Sequence, residues 1–158
     1  MVDLCVVVPG PAEAARLVAI DRAAFPNDTS HFSADDYLAF GLAEPGIQPP
    51  AVIADEDLSR CVAVLRFAAD EAEILTIGVV PSARRSGLGR ALLNAALAIA
   101  EGSGAASVFL EVAEDNTAAR TLYDDTWFVE VGRRASYYLR RDGSRVDALI
   151  LRRDLAAI

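Results

Sequence analysis

A chain of 158 residues is long enough for one domain with a single hydrophobic core, and we expect one domain over residues 1–158. Apolar residues make up 53% of the chain but aromatic residues only 7%, so the core must be built from aliphatic side chains, as in a compact α/β protein. The formal net charge of −8 disfavours binding to polyanions, which argues against nucleic acid as a direct partner.

The cysteine and histidine residues form no metal-binding pattern. Cys5 and Cys61 lack CxxC spacing, and His31 is the single histidine, so these three residues do not complete a set of metal ligands. No metal is expected. The first apolar run, residues 4–8, is too short for a signal peptide, and the apolar helix candidate over 91–100 is too short to span a membrane. We therefore expect a cytoplasmic protein without a membrane partner.

The first half of the chain predicts a short strand, two helices and then three strands. A Pro-Gly-Pro run ends the first strand, and Ser33 is placed to cap the second helix. Short acidic connections between the three later strands predict an antiparallel meander. The predicted elements are a strand over 4–8, helices over 11–24 and 34–42, and strands over 51–54, 61–67 and 73–80.

The second half predicts two helices and three strands. Apolar residues recur with helical spacing from Gly87 until a glycine-containing turn after residue 101. Asn116 is placed to cap a short helix that runs to residue 124. The last two strands are separated by a connection that contains Tyr137 and Tyr138. Strands are predicted over 107–112, 128–131 and 148–151.

The turn after the strand over 73–80 has the features of an anion site. Gly87 and Gly89 lie at a helix start, where the first N–H groups have no intrahelical acceptor and the helix dipole is positive. Arg84, Arg85 and Arg90 add cationic donors. A Walker-type loop is excluded because no Gly-Lys-Ser/Thr follows, and a dinucleotide-binding motif would need a third glycine. A turn with a solvated basic helix cap is the alternative.

Residues 84–89, Arg-Arg-Ser-Gly-Leu-Gly, resemble the Gln/Arg-x-x-Gly-x-Gly/Ala pyrophosphate loop of the GNAT superfamily of N-acetyltransferases. The run Phe-Leu-Glu-Val at 109–112, with Asn116 and Tyr123 after it, resembles the next blocks of that family. The chain is most similar to the RimI-type ribosomal-protein-alanine N-acetyltransferases, in which Tyr-Tyr and a late Asp-Ala follow. The resemblance covers about half of the chain, residues 73–155.

The resemblance implies both a fold and a coenzyme. The fold would be a mixed, mostly antiparallel sheet of about six or seven strands, flanked by about four helices, with a central strand pair that parts at Gly78. Acetyl-CoA would bind in the cleft, and the backbone of residues 77–79 would pair with its pantetheine arm. The residues assigned to the coenzyme are Ile77, Gly78, Val79, Arg84, Arg85, Ser86, Gly87, Leu88, Gly89, Arg90 and Asn116.

The chemistry of amine acetylation needs a base and an acid. An N-terminal amine, with a pKa of about 8, must lose a proton before it attacks a thioester, and the departing thiolate must gain one. By resemblance, Glu111 is the base and Tyr123 is the acid, while Tyr137 and Tyr138 lie beside the acceptor. The alternatives are an outward-facing strand carboxylate for Glu111 and ordinary packing for the tyrosines. For Asn116, a helix cap is already a sufficient role.

Two segments depart from the family's pattern. After Tyr123 the family has Leu-Gly-Phe, and here Trp127 replaces the glycine that tolerates a left-handed conformation, so the turn must differ or be strained. RimI-type sequences have Trp after Phe-Pro, whereas here Asn-Asp-Thr at 27–29 follows Phe-Pro at 25–26. That loop would help to form the acceptor site.

Three functions are compatible with these residues. The first is acetylation of a protein N-terminal α-amine, with a ribosomal protein as the favoured substrate and partner. The second is acetylation of a small amine such as a polyamine, an amino acid or an aminoglycoside. The third is a non-catalytic acyl-CoA-binding regulator, and the presence of both Glu111 and Tyr123 argues against it, because a pure binder needs neither.

Overall fold

Strands and helices follow one another over residues 2–156, which are the residues that the computed structural model describes. The strands are β1 (Leu4–Val7), β2 (Ala51–Asp55), β3 (Cys61–Ala68), β4 (Glu71–Val79), β5 (Ser107–Ala113), β6 (Val129–Leu139) and β7 (Arg145–Asp154). The helices are α1 (Pro11–Ala24), α2 (Ala34–Phe40), α3 (Leu88–Gly102) and α4 (Thr117–Asp125), and a 3-10 turn covers Pro81–Ala83. This element order is the one that the sequence predicted.

The predicted caps are present at two helices. At α2, the amide of Asp36 donates to Oγ of Ser33 at 3.2 Å, and the amide of Ser33 donates to the Asp36 carboxylate at 2.7 Å, which forms a capping box. At α4, the amide of Ala119 donates to Oδ1 of Asn116 at 3.2 Å. Local sequence therefore determines where both helices begin.

The last two strands are longer than the sequence predicted. Strands were predicted over 128–131 and 148–151, but pairing of β6 with β7 extends both, and Tyr137 and Tyr138 lie within β6 rather than in a connection. The prediction failed because β6 is an edge strand that is largely exposed, so its residues do not alternate between apolar and polar.

The strands form a single mixed sheet in the order β1-β2-β3-β4-β5-β7-β6. Neighbouring strands are antiparallel except for β4 and β5, which are parallel and are joined through α3. A parallel pair requires such a crossover connection. The mixed, mostly antiparallel seven-stranded sheet that the resemblance implied is confirmed.

Helices cover both faces of the sheet. Val62 and Val64 of β3 pack with the buried residues of α1 and α2, whereas Ala63 and Leu65 pack with those of α3. All four residues are completely buried, so β3 reads as a continuous apolar run. Within residues 2–156, every helix is too short or too polar to cross a membrane.

Candidate active site

The two central strands separate partway along the sheet. β4 pairs with β5 as far as Ile74, which lies opposite Leu110, and beyond that point β4 pairs only with β3. A one-residue bulge at Leu75, in the pairing with β3, falls at the same place and increases the local bend. The separation predicted at Gly78 therefore begins earlier, at Ile74.

Gly78 has a packing role that the sequence did not reveal. A Cβ atom at this position would lie 2.9 Å from Cβ of Ala24 and 3.2 Å from Cε2 of Phe25. The first contact is closer than Cβ atoms approach one another and the second is tight, so glycine lets the end of α1 lie directly against β4. Beyond Ile74, the other edge of β4 has no strand partner among residues 2–156, and its backbone groups are available to a ligand.

A cleft of about 700 Å³ opens where β4 and β5 separate. It is bounded by these strands, by the α1–α2 loop (residues 25–33) and by the end of β6. The cleft contains six of the residues that the sequence assigned to the site: Ile77, Glu111, Asn116, Tyr123, Tyr137 and Tyr138. The structure therefore brings the predicted catalytic pair and both predicted acceptor residues together.

The loop after β4 has the backbone conformation of an anion site. Arg85 and Gly87 both have positive φ, 60° and 82°. Gly87 is the N-cap of α3, and the first N–H groups of the helix, at residues 88–90, have no intrahelical acceptor. Among residues 2–156, no side chain caps this helix end, so these N–H groups are free to bind a ligand. A Cβ added at Gly89 would meet only Cδ2 of Leu122, at 3.6 Å, so this part of the loop is open.

The side chains of this loop differ in their partners. Arg84 donates from Nε to the carbonyl oxygen of Val79 at 3.2 Å and from Nη2 to that of Ala24 at 2.8 Å, so its guanidinium ties the loop to α1. Ser86 donates to the carbonyl oxygen of Ala83. Arg90 makes only an exposed ion pair with Asp125, at 3.4 Å. Arg90 is therefore freer than Arg84 to neutralise a bound anion.

Glu111 lies in the cleft as one half of an ion pair. Its side chain is 22% exposed, and Nε of Arg134 donates to its Oε1 at 2.7 Å. Glu111 lies opposite Ile150 of β7 and Arg134 lies opposite Ala148, so the guanidinium reaches across β7. The apolar neighbours of Glu111 in the sequence gave no sign of this partner.

Tyr123 is held at the C-terminus of α4 with its ring in the cleft lining. The amide of Trp127 donates to Asp124 and the amide of Phe128 donates to Tyr123, which are the two hydrogen bonds of a Schellman motif. Burial raises the pKa of the Tyr123 phenol to about 12.

Tyr137 and Tyr138 both reach the cleft because β6 is irregular. Consecutive residues of a regular strand point to opposite faces. Here the pairing with β7 shifts between Arg134 and Tyr138, and Ser136 has a φ of 51°. The two tyrosine rings pack edge to face at 5.2 Å, and burial raises the pKa of Tyr138. Tyr137 stays half exposed, at 51%.

The α1–α2 loop is attached to the β6–β7 hairpin across one end of the cleft. The carboxylate of Asp28 pairs with Arg140, which also donates to Asp115 at 2.9 Å. Thr29 donates from its hydroxyl to the carbonyl oxygen of Leu139 at 3.0 Å. Both walls of this part of the cleft are thus held in place by polar contacts between distant segments.

Sequence reasoning missed several polar residues of the cleft and its surroundings: Asp21, Asp28, His31, Arg134 and Arg140. The partners of Arg134 and Arg140 lie 23 and 112 positions away, and Asp21 and His31 lie ten positions apart on different elements, so spacing within a motif carried no signal. Among residues 2–156, no group of three His, Cys, Asp or Glu side chains is arranged to hold a metal ion.

A mixed sheet that opens between parallel strands beside an uncapped helix N-terminus is the architecture of an acetyltransferase. Residues 14–125 match the Acetyltransferase (GNAT) family, and the chain belongs to this family. It is an acetyl-CoA-dependent N-acetyltransferase.

Individual relatives are similar over most of the chain. The chain is 35% identical over 131 residues to the [Ribosomal protein bS18]-alanine N-acetyltransferase of Escherichia coli, covering 81% of this chain and 80% of that protein. The crystal structure of the Escherichia coli ribosomal-protein-S18-alanine N-acetyltransferase superposes with a TM-score of 0.79 at 25% identity, covering 99% of this chain and 96% of that one. The fold also matches yncA from Salmonella typhimurium, solved with its cofactor acetyl-CoA, with a TM-score of 0.76, 18% identity and coverage of 99% and 96%.

Proposed function

We propose that this enzyme acetylates the α-amine of a protein N-terminus that begins with alanine, with a ribosomal protein as the favoured substrate. The similarity to an enzyme named for alanine of ribosomal protein bS18, over 80% of its length, supports this acceptor. The observation that carries the proposal is that Glu111 and Tyr123 line one cleft together with Tyr137 and Tyr138. A ribosomal substrate would place the reaction in the cytoplasm.

The backbone around the cleft fits the coenzyme. When bound, acetyl-CoA supplies the acetyl thioester. The unpaired edge of β4 at residues 77–79 offers amide and carbonyl groups to the pantetheine arm, as it would to an added strand. The free N–H groups of residues 88–90 donate to the pyrophosphate, and the guanidinium groups of Arg85 and Arg90 neutralise its charge.

The remaining coenzyme residues act on the shape of this site. Arg84 fixes the loop through its two backbone contacts, and Ser86 does so through its bond to Ala83. Gly87 allows the left-handed turn that starts α3. Asn116 caps α4 and, because it lines the cleft, its remaining donor groups are available to the coenzyme.

Glu111 takes the proton from the acceptor amine. An α-amine has a pKa of about 8, so a carboxylate that acts directly or through one water is a sufficient base. The bond from Arg134 fixes one carboxylate oxygen, Oε1. The second oxygen is the one that accepts the proton.

Tyr123 assists the departure of the thiol. Because burial raises its pKa to about 12, the phenol keeps its proton at neutral pH. It donates a hydrogen bond to the developing thiolate and supplies the proton as negative charge builds on the sulfur. The Schellman turn after α4 orients the ring for this role.

The acceptor end of the cleft suits a cationic amine. The cleft lining contains acidic side chains from five different segments. Within residues 2–156, four of them have a basic partner: His31 for Asp21, Arg140 for Asp28, Arg66 for Glu73 and Arg134 for Glu111. The acidic lining residues are Asp21, Asp28, Asp36, Glu73 and Glu111. They attract an ammonium group to the cleft before it is deprotonated. Tyr137 and Tyr138 offer aromatic surface to the peptide that follows the amine.

The same acidic lining would also attract a polyamine, so the acceptor must be tested directly. Thiol release from acetyl-CoA should be measured with an alanine-initiated peptide, with the same peptide blocked at its α-amine, and with polyamines and free amino acids. We expect release with the free peptide alone and an acetyl group on its α-amine by mass spectrometry. Release with small amines but not with peptides would refute the proposed acceptor.

A further inference from the structure

His31 connects two elements that line the acceptor end of the cleft. Its Nε2 lies 2.9 Å from the carbonyl oxygen of Asp28, and its Nδ1 lies 3.3 Å from Oδ2 of Asp21. Asp21 belongs to α1 and is 3% exposed, while Asp28 belongs to the α1–α2 loop. The imidazole ring therefore ties the loop to the helix.

The two contacts determine where protons must lie. A carbonyl oxygen only accepts hydrogen bonds, so Nε2 of His31 must carry a hydrogen. An ionised carboxylate also only accepts, so the contact between Nδ1 and Asp21 needs one more proton, either on the ring or on the carboxyl group. Without that proton, two lone pairs would face each other in a largely buried place, and the contact would be repulsive.

The surroundings of the pair favour retention of this proton. Burial raises the pKa of Asp21, although the positive charge of His31 opposes the effect. The carboxylate of Asp28 is already paired with Arg140, so it does not compete for the ring. The other charged and titratable groups near the pair or across the cleft from it are Asp36, Tyr37, Glu73, Glu111 and Tyr138.

We propose that His31 is a positioning residue for the acceptor: through one proton shared with Asp21, it holds the α1–α2 loop in place as a wall of the acceptor cleft. Both ring nitrogens are used in these contacts, so His31 is not a second catalytic base. The inference rests on the proposed function, because it assumes that this loop contacts the acceptor peptide. The residues assigned to the coenzyme lie on β4, in the loop after it and at the start of α4, so coenzyme binding should not depend on His31.

Steady-state kinetics with an alanine-initiated peptide separate the two substrates. His31→Ala should raise the acceptor KM about tenfold or more, because it removes hydrogen bonds that involve a charged group. It should leave the acetyl-CoA KM within about twofold of the wild-type value. His31→Gln, whose amide can still donate to the carbonyl oxygen of Asp28, should recover part of the loss. Arg22→Ala is the matched control, because Arg22 is an exposed residue of α1 next to Asp21 and lies outside the cleft lining.

A comparison with Asp21→Asn tests the shared proton itself. The asparagine amide can donate to Nδ1 without any extra proton, so the contact no longer depends on pH. The ratio of the acceptor KM of the wild type to that of Asp21→Asn should therefore increase from about pH 6 to about pH 10. Deprotonation of the amine affects both enzymes equally, so it cancels in this ratio. A ratio that is constant with pH would reduce His31 to an ordinary packing residue.

Nuclear magnetic resonance gives a readout that does not require activity. His31 is the single histidine, so the ring nitrogens of protein labelled with ¹⁵N-histidine are assigned without ambiguity. We expect Nε2 to carry its hydrogen in the folded protein, and the ring signals to shift on addition of peptide but not of acetyl-CoA. A free mixture of tautomers would refute the pair. If the wild type acetylates no peptide, the proposed function fails; if it does and His31→Ala has an unchanged acceptor KM, this inference fails.

Discussion

The amide of Phe128 donates to the carbonyl oxygen of Tyr123 at 3.0 Å, and their rings pack edge to face with centroids 5.8 Å apart. The hydrogen bond and the ring contact close the Schellman turn that orients the proposed catalytic acid. The residue between them that must adopt a left-handed conformation is Trp127, with a φ of 71°. Its indole is 79% exposed, so it contributes little packing to offset that strain.

Trp127→Gly should therefore cost no more than about 1 kcal/mol of unfolding free energy, and relief of the strain should stabilise the protein by up to about that amount. The matched control is Trp127→Ala, which removes the indole but keeps the strained Cβ. Urea denaturation of the three proteins measures the difference. A large loss in both variants would mean that the indole is packed in solution.

Gly87→Val should weaken acetyl-CoA binding by about tenfold or more while the protein stays folded, because its φ of 82° disfavours any residue with a Cβ. The valine would displace the amides that we assign to the pyrophosphate. Gly102→Ala, at the other end of α3, has open space and ordinary φ and is the control. Calorimetry should show unchanged affinity for Gly102→Ala, and unchanged affinity for a folded Gly87→Val would exclude the phosphate-loop assignment.

The helix caps and turns around the proposed site were predictable because their signals are local. Gly87 has the left-handed conformation expected of a glycine at a turn, and Ser33 and Asn116 cap their helices as residues of their type do. The sequence predicted that the turn at Trp127 either differs from the family's or is strained, and its φ of 71° corresponds to the strained alternative. Each of these features depends on a few consecutive residues.

The acceptor side was much less predictable because it depends on contacts between distant segments. Arg134 reaches Glu111 across β7, and Arg140 meets Asp28 from 112 positions away. The bulges that turn Tyr137 and Tyr138 into the cleft arise from strand register, which has no signature in a short motif. The strand separation was predicted at Gly78 because the glycine is visible in the sequence. The close contact of Gly78 with the end of α1, which gives the glycine a different role, is not visible there.

The raised pKa of Tyr123 predicts a loss of stability in alkali. The unfolded chain releases this phenolic proton near pH 10, whereas the folded protein keeps it until about pH 12. The folded state therefore binds more protons in this range, and the corresponding stability, present below about pH 10, is lost as the pH rises through about 12.

Tyr123→Phe lacks this proton, so its unfolding free energy should fall less than that of the wild type between about pH 9 and about pH 11, by roughly 1 kcal/mol. Urea denaturation at both pH values measures this difference. Tyr37 contributes equally to both proteins, whereas Tyr138 contributes slightly less in the variant, because the charge of Tyr123 is the smallest of the causes that raise its pKa. An identical fall in the two proteins would mean that the phenol is freely solvated.

The central claim is that Glu111 deprotonates the acceptor amine and Tyr123 protonates the departing thiolate, and the pH dependence of kcat in their variants tests it most directly. With an alanine-initiated peptide, Glu111→Gln and Tyr123→Phe should each lower kcat by about 10²- to 10⁴-fold, with little change in acetyl-CoA affinity. The rate of Glu111→Gln should recover partly as the pH rises through the amine's own pKa of about 8, because solvent then removes the proton. Tyr123→Phe should show no such recovery, because hydroxide does not replace a proton donor. Rates close to the wild type for both variants would contradict the assignment and leave only the proximity of amine and thioester as the source of catalysis.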